Sequence, residues 1–209
     1  SSAASDVYKR QQQHHLITVP LGLSLGEKTY RDGIDISSED FYALLTEGNE
    51  TPKTSAPPPA AFLEAFRQAG AYSNSILCIT LAKHLSATYQ AAQVAAEMAK
   101  DSLPNLDIHV LDSRTAGGSE GLVALAAARR ALAGQDLARV IEEAEFVAGK
   151  VQFLGILGTL YYLSRGGHIP KVDNWITSLL DIKPVLDMAN RDVRLLERPR
   201  TKKRALQRV

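Results

Sequence analysis

The sequence predicts an α/β protein, in which a parallel sheet with flanking helices forms the first domain and a second, α+β domain follows. From about residue 70, short apolar runs alternate with alanine-rich amphipathic segments, and this alternation is typical of parallel strands covered by helices. After about residue 148 the chain becomes apolar, aromatic and interrupted by glycine. We therefore expect residues 1–147 to form the first domain. Residues 148–209 are expected to be the start of a second, incomplete domain, because roughly sixty residues are few for an independent core.

The segment before residue 70 is predicted to contain one strand, one turn, two helices and a rigid loop. "LITVPLGLSL" is rich in β-branched residues and leucine, which favours a strand with its proline at a bulge or an edge. The other predictions are a turn on Asp32-Gly33, a helix capped by Ser37 or Ser38 and closed by Gly48, a rigid loop "TPKTSAPPP", and a helix "AAFLEAFRQAG" that ends at Gly70.

The segment after residue 70 is predicted to alternate strictly between strand and helix. The predicted order is strand "SILCITL", helix "SATYQAAQVAAEMAKDS", strand "LDIHVLDS", glycine-rich turn "RTAGGSEG", helix "GLVALAAARRALAGQ" ended by Gly134, and helix "DLARVIEEAEFVAGKV" capped by Asp136. Short strands around an Asn190-Arg191-Asp192 turn and then a basic helix are expected towards residue 209.

Composition excludes several classes of protein. The formal net charge is +1, so no overall field indicates binding to nucleic acid or to a membrane surface. No apolar run reaches the roughly 18 residues of a membrane span. The single cysteine, Cys78, lies in an apolar run and cannot form an intramolecular disulfide. A cytoplasmic location and an inert core thiol are therefore expected.

Three segments rich in serine and threonine are expected at the carboxyl edge of the parallel sheet, where ligands of such sheets bind. They are "TPKTSAPPP", "AKHLSATY" and "DSRTAGGSEG". Hydroxyls and free amides at a helix start suit an anion, although serine and threonine also cap helices without binding any ligand. Both interpretations remain open at this point.

Catalytic and metal motifs are weak. Ser86 lacks the G-x-S-x-G surroundings of a hydrolase nucleophile, although His84 is near enough in sequence to be considered as its base. The glycines of Gly117–Gly121 lack the spacing of a dinucleotide fingerprint and the lysine of a phosphate-binding loop. No metal site is predicted, because His14 and His15 are adjacent and no cysteine cluster exists. The basic run "RPRTKKR" is a solvated helix start or a contact for an acidic partner or a phosphate.

The chain resembles the DegV family of bacterial fatty-acid-binding proteins. The matching motifs include "PKTSAPPPAAFLEAF", "LSATYQAA", "VLDSRTAGGSEGL", "LYYLSRGGHI" and "RPRTKKRAL", which follow the family's order over nearly the whole chain. The resemblance implies a carrier protein without chemistry or cofactor of its own, which holds one long-chain fatty acid between two domains. It also implies that the carrier presents this acid to a fatty-acid kinase subunit.

The resemblance assigns the carboxylate contacts to Thr54 of the P-x-T-S motif and to Ser86 of the L-S-x-T-Y-Q motif. Ser55 and Thr88 are supporting residues beside them. The chain departs from the family at Ala87, where the family usually has Gly, and at His168, where it usually has Arg. Relative to the family pattern, the chain is expected to be truncated at both ends. The runner-up interpretation is a serine-dependent hydrolase of acyl substrates that uses Ser86.

Overall fold

A computed structural model describes residues 16–47, 51–158, 182–188 and 194–208. Its strands are, in chain order, β1 (Gly22–Leu25), β2 (Lys28–Arg31), β3 (Lys53–Ser55), β4 (Ser75–Thr80), β5 (Asp107–Asp112), β6 (Leu154–Ile156), β7 (Val185–Asp187) and β8 (Arg194–Glu197). Its helices are α1 (Ser38–Glu47), α2 (Pro59–Gly70), α3 (Thr88–Ser102), α4 (Gly117–Leu132), α5 (Leu137–Ala148) and α6 (Lys202–Leu206).

These elements group into two compact units. The described part of the α/β unit comprises residues 16–19 and Pro57–Phe153. The described part of the α+β unit comprises Pro20–Ala56 without residues 48–50, together with residues 154–158, 182–188 and 194–208. The expected domain division at residue 148 stays a prediction. The compact units change over between Phe153 and Leu154, and residues 20–56 group with segments that begin about a hundred residues later in the chain.

The α/β unit is built on a parallel pair of strands, as the alternating pattern predicted. Strands β4 and β5 run in register from Ser75 opposite Asp107 to Thr80 opposite Asp112. Helices α2 and α3 cover one face with a cluster that includes Phe62, Phe66, Ala92, Ala95 and Ala99. Helices α4 and α5 form a second cluster that includes Val123, Ala127, Val140 and Ala144. Helices on both faces are the expected cover of parallel strands.

Local signals explain where several helices begin. Ser37 caps α1, since its hydroxyl accepts a hydrogen bond from Asp40 N at 3.1 Å. Asp136 caps α5 through Arg139 N at 2.9 Å, and Thr201 caps α6 through Arg204 N at 3.3 Å. These bonds satisfy amides that have no partner inside the helix. Both caps that the sequence indicated, Ser37 and Asp136, are confirmed.

The α+β unit contains two antiparallel sheets, with strand orders β2-β1-β3 and β6-β7-β8. The predicted strand over residues 16–25 is wrong in its first part, because pairing begins only at Gly22, after a proline that cannot donate a ladder bond. The predicted turn on Asp32-Gly33 is confirmed, with φ of +68° at Gly33. Gly48 and the Asn190-Arg191-Asp192 turn lie outside the described residues.

Two segments that were predicted to be irregular contain regular structure. Residues 53–55 of "TPKTSAPPP" form β3, which pairs with β1 in an antiparallel sheet, so this segment is not a loop throughout. The predicted glycine-rich turn over residues 114–121 is wrong from Gly117 onward, because helix α4 begins there. Gly117 has φ of +57°, a conformation that glycine adopts without strain.

One acidic side chain is partly buried in the α/β unit without a hydrogen-bond partner among the residues that the structure describes. Burial raises the pKa of Glu120, in the first turn of α4, to about 7. Burial, and secondarily the charge of Glu120, raises the pKa of the Cys78 thiol to about 12. Cys78 is therefore protonated and unreactive at neutral pH, as its apolar surroundings in the sequence predicted.

The first stability prediction concerns the alanine face of α3. Ala95 is fully buried between α3 and the sheet, and additional atoms in a close-packed core force side chains from their preferred rotamers. We expect Ala95→Leu to lower the free energy of unfolding by about 1–3 kcal/mol in urea denaturation. Glu97→Leu, on the exposed face of the same helix, is the matched control and should change it by less than about 0.5 kcal/mol. Equal effects of the two variants would contradict the packing argument.

The second stability prediction concerns pH. The folded state keeps a proton on Glu120 up to about pH 7, whereas the unfolded chain releases it near pH 4.5. Stability therefore falls as the pH rises through this window, by up to about 3 kcal/mol. Glu120→Gln should remove this decrease and be the more stable protein above pH 7. Denaturation curves across the window test this, with exposed Glu97→Gln as control, and identical pH dependence of Glu120→Gln and the wild type would contradict it.

Candidate hydroxyl site

The carboxyl ends of β4 and β5 bring two of the predicted hydroxyl segments together. Ser113 N donates to Thr80 O at 3.0 Å, which continues the strand pairing by one residue. Ala82 N then donates to Thr115 O at 2.7 Å, and this bond joins the segment after β4 to the segment after β5. "AKHLSATY" and "DSRTAGGSEG" therefore lie side by side at the edge where parallel sheets bind ligands, as predicted.

Asp112 holds both segments through one oxygen atom. Its Oδ1 accepts hydrogen bonds from Arg114 N at 2.9 Å and from Lys83 N at 3.3 Å. The Asp112 side chain is 14% exposed. Hydrogen bonds from these two amides therefore replace much of the hydration that the carboxylate loses on burial. No ligand role was predicted for Asp112 or Lys83 from the sequence. The position of Asp112 at the end of a predicted parallel strand was the signal that could have indicated its role. Its partner Lys83, however, is about thirty positions away in the chain, so the contact itself leaves no pattern in the sequence.

Ser86 and Thr88 form a pair of hydroxyls at the start of α3. Their oxygen atoms are 2.7 Å apart, and Ser86 Oγ also accepts from Thr88 N at 3.2 Å. Thr88 is buried and Ser86 is half-buried. When the Thr88 hydroxyl donates to Ser86, the Ser86 hydroxyl retains its own proton for an acceptor outside the pair. Such a donor beside the positive end of a fifteen-residue helix suits a carboxylate.

Among the described residues, the hydrogen-bond partner of Ser86 is Thr88 and not His84. The imidazole of His84 is on an exposed turn residue and makes no hydrogen bond in the described part of the chain. A serine nucleophile requires a base within hydrogen-bond reach, so the geometry provides no support for the hydrolase interpretation of Ser86.

Thr54 and Ser55 lie in β3, in the α+β unit. Thr54 pairs with Leu23 and Ser55 pairs with Gly22 on the neighbouring strand. An ideal Cβ atom at Gly22 would be 2.3 Å from Ser55 Oγ, so the Ser55 side chain lies against this glycine. Because consecutive strand residues point to opposite faces, Thr54 and Ser55 face different sides of the sheet.

The structure thus places Thr54 and Ser55 in one unit and Ser86 and Thr88 in the other. It brings Ser86 and Thr88 into direct contact. The assignment of one shared carboxylate to Thr54 and Ser86 stays a prediction. His168, where the chain departs from the family pattern, and the His14-His15 pair lie outside the described residues.

The glycine-rich segment is occupied by contacts within the fold. Ser119 is buried, and its hydroxyl donates to Gln152 O at 3.0 Å. A methyl group at Gly117 would contact the Phe153 ring at 3.4 Å. Thr115 Oγ1 is the buried side-chain polar atom that lacks a hydrogen-bond partner in the described part of the chain. The contacts of Ser119 and Gly117 favour a helix start over a nucleotide site in this segment.

The described residues contain no other arrangement that suits a bound group. No cluster of three or more histidine, cysteine, aspartate or glutamate side chains is placed to bind a metal ion. Two surface depressions of about 350 and 370 Å³ lie near the amino-terminal end of β5, away from the hydroxyl pair. None of the described helices has the length and apolar character needed to cross a membrane.

The basic run near residue 200 is exposed. It begins in the segment after β8 and continues into α6, and the exposed cations are Arg198, Arg200, Lys202, Lys203 and Arg204. No salt bridge involves these five side chains among the residues that the structure describes. The structure therefore agrees with a solvated basic surface and leaves its partner as a prediction.

Comparisons with known proteins identify close likeness to one family. The family described as "Uncharacterised protein, DegV family" matches residues 2–209. The chain is 30% identical over 191 residues to a DegV domain-containing protein of Caldanaerobacter subterraneus, covering 91% of this chain and 66% of the relative. It is 30% identical over 200 residues to the protein DegV of Bacillus subtilis, covering 95% and 69%.

Solved structures agree with these sequence matches. The crystal structure of Bacillus subtilis DegV, described as a fatty acid binding protein, is 29% identical with a TM-score of 0.84, covering 96% of this chain and 70% of that one. A Thermus thermophilus structure, described as fatty acid binding of a DegV family protein, is 29% identical with a TM-score of 0.82, covering 94% and 69%. The chain therefore spans about two thirds of the length of its relatives. The match over residues 2–209 confirms the resemblance read from the motifs and shows that this chain belongs to the DegV family.

Proposed function

We propose that the protein binds a long-chain fatty acid and that Ser86 and Thr54 hold the carboxylate. The observation that carries this proposal is the hydroxyl pair of Ser86 and Thr88 at the carboxyl end of the parallel strands. The site lies in a chain whose relatives from Bacillus subtilis and Thermus thermophilus are described as binding fatty acids. The residue assignment itself rests on the family resemblance of the two motifs.

The chemistry of a fatty acid explains what the hydroxyls would contribute. Burial of the acyl tail stabilises the complex by about 0.8 kcal/mol per methylene, so a long tail provides most of the affinity. A carboxylate that loses water without gaining donors is strongly destabilised, and each hydrogen bond to a charged group contributes about 1.5–3 kcal/mol. The hydroxyls therefore determine orientation and discrimination between head groups more than total affinity.

The four proposed site residues contribute unequally. Thr88 positions the Ser86 hydroxyl through the 2.7 Å contact and is itself buried. Thr54 lies in a strand between two prolines, Pro52 and Pro57, which restrict its backbone. Ser55 faces the opposite side of that strand and lies against Gly22. The geometry thus favours Thr54 over Ser55 as the second contact.

The proposal describes a carrier rather than an enzyme. Ser86 lacks an adjacent base among the described residues, and no metal cluster is present there to activate water. Presentation of the acid to a fatty-acid kinase subunit is the remaining part of the proposal, and the family resemblance supports it. A cytoplasmic location is also proposed, supported by the single cysteine of the chain, which forms no intramolecular disulfide.

The direct test is to identify what the protein carries. We expect the full-length protein, purified from its host and extracted with organic solvent, to release saturated or monounsaturated fatty acids in amounts comparable to the protein, as measured by mass spectrometry. The acids should be recovered unmodified, because the proposed carrier performs no chemistry on its ligand. A lipid-free protein that also fails to bind added fatty acid would disprove the proposed function.

A second test asks whether the hydroxyls recognise the carboxylate. We expect Ser86→Ala and Thr54→Val each to weaken fatty-acid binding about tenfold, which corresponds to about 1.4 kcal/mol. Binding of the corresponding methyl ester should scarcely change, because the ester carries no charge. The double variant should lose less than the sum of the two effects if both hydroxyls contact one carboxylate.

The controls for this test use hydroxyls elsewhere in the same helix and the same sheet. Ser102→Ala removes a hydroxyl at the far end of α3 that donates to Met98 O. Thr29→Val removes a hydroxyl of the same antiparallel sheet that contacts Ser24 Oγ. Both controls should bind acid and ester as the wild type does. If Ser86→Ala lowers the affinity for acid and ester equally, this residue supports the fold of the site and does not recognise the head group.

A further inference from the structure

Lys83 occupies a fixed turn immediately before Ser86. The turn is closed by Leu85 N, which donates to Ala82 O at 2.9 Å. Ala82 is fully buried and is itself held by its bond to Thr115 O. The Cα atoms of Lys83 and Ser86 are at most about 10 Å apart, since the two residues are three positions apart in the chain. A lysine side chain spans much of this distance, so the ammonium of Lys83 can approach a group that the Ser86 hydroxyl contacts.

Asp112 holds the backbone of Lys83 by a hydrogen bond but accepts no hydrogen bond from the Lys83 ammonium. Oδ1 of Asp112 accepts from Lys83 N and Arg114 N. Oδ2 lies 4.0 Å from Lys83 Nζ, which is longer than a hydrogen bond. The Lys83 side chain is 66% exposed and donates no hydrogen bond to any residue that the structure describes. The loose ion pair with Asp112 therefore leaves its three N–H donors free of hydrogen bonds within the described part of the chain, so that they can donate to an anion.

The ring of Tyr89 lies beside this ammonium. Lys83 Nζ lies 5.7 Å from the centre of the Tyr89 ring, within the range of a cation–π contact. The ring is oriented in turn by its hydroxyl, which accepts from Gln93 Nε2 at 2.9 Å. Tyr89 follows Thr88, the partner of Ser86, and helical side chains lean towards the start of their helix. The cation is thus held beside the end of α3 that carries the hydroxyl pair.

We propose that Lys83 is a specificity-determining residue of this site, whose ammonium selects ionised acyl ligands over neutral ones such as esters and alcohols. This inference rests on the proposed function and names a cation that the hydroxyl motifs do not include. The hydroxyls can donate to a carboxylate and to an ester carbonyl, and they favour the carboxylate only through the stronger hydrogen bond that a charged acceptor forms. A cation distinguishes the two, because its attraction depends on the net charge of the head group.

The test compares a charge series at residue 83 at two salt concentrations. Lys83→Met should weaken binding of a long-chain fatty acid about threefold at low salt, the range expected for a largely exposed charge. Lys83→Glu should weaken it more, and Lys83→Arg should retain it. At about 1 M salt, where the screening length is about 3 Å, the differences should nearly disappear. Binding of the methyl ester should be the same for all four proteins at either salt concentration.

Lys100 provides the matched control, because it is an exposed lysine at the other end of α3 and pairs with Glu97. Lys100→Met and Lys100→Glu should leave acid and ester binding unchanged. If Lys83→Met binds the acid as tightly as the wild type at low salt, or loses acid and ester equally, the proposal is wrong while fatty-acid binding stands. If the wild type binds neither ligand, the proposed function itself fails.

Discussion

The carboxylate of Asp112 is the constraint on which the candidate site depends. It ends β5 and accepts hydrogen bonds from the backbone of two separate segments, at Lys83 and at Arg114. A half-buried charge needs such partners, so the two segments cannot separate without leaving it short of donors. Arg114 adopts φ of +58°, an unusual conformation for a residue with a side chain. The close junction after β5 therefore requires both the Asp112 contact and this left-handed residue.

Small buried side chains in α3 also help to position the candidate site. Ala92, Ala95 and Ala99 form the buried face of α3, so the helix can lie close to the strands without large side chains between them. The helix start is then held next to the carboxyl end of β4, where Ser86 and Thr88 meet. Apolar packing of these alanines thus positions the polar end of α3.

The sequence predicted the features whose causes are local. Alternation of apolar runs and amphipathic segments gave the parallel pair β4–β5, and the caps at Ser37 and Asp136 were visible as single residues before helices. Strand β3 was missed, because three residues between prolines carry no periodic signal. The contact between Asp112 and Lys83 and the grouping of residues 20–56 with the later segments were also missed. Both depend on residues distant in the chain, and a single sequence carries no pattern for such pairs.

The discontinuous course of the chain has a consequence for biosynthesis. The α+β unit collects residues 20–56 and then residues from 154 onward, with nearly a hundred residues of the α/β unit between them. During translation residues 20–56 emerge long before the later segments of their unit. Until those segments are made, β1, β2 and β3 can form only a small three-stranded sheet of marginal independent stability. The α/β unit, whose helices and strands from residue 57 to 153 are contiguous, can fold first on the ribosome. High contact order is thus concentrated in the α+β unit, and the order of synthesis favours folding of the α/β unit before the α+β unit.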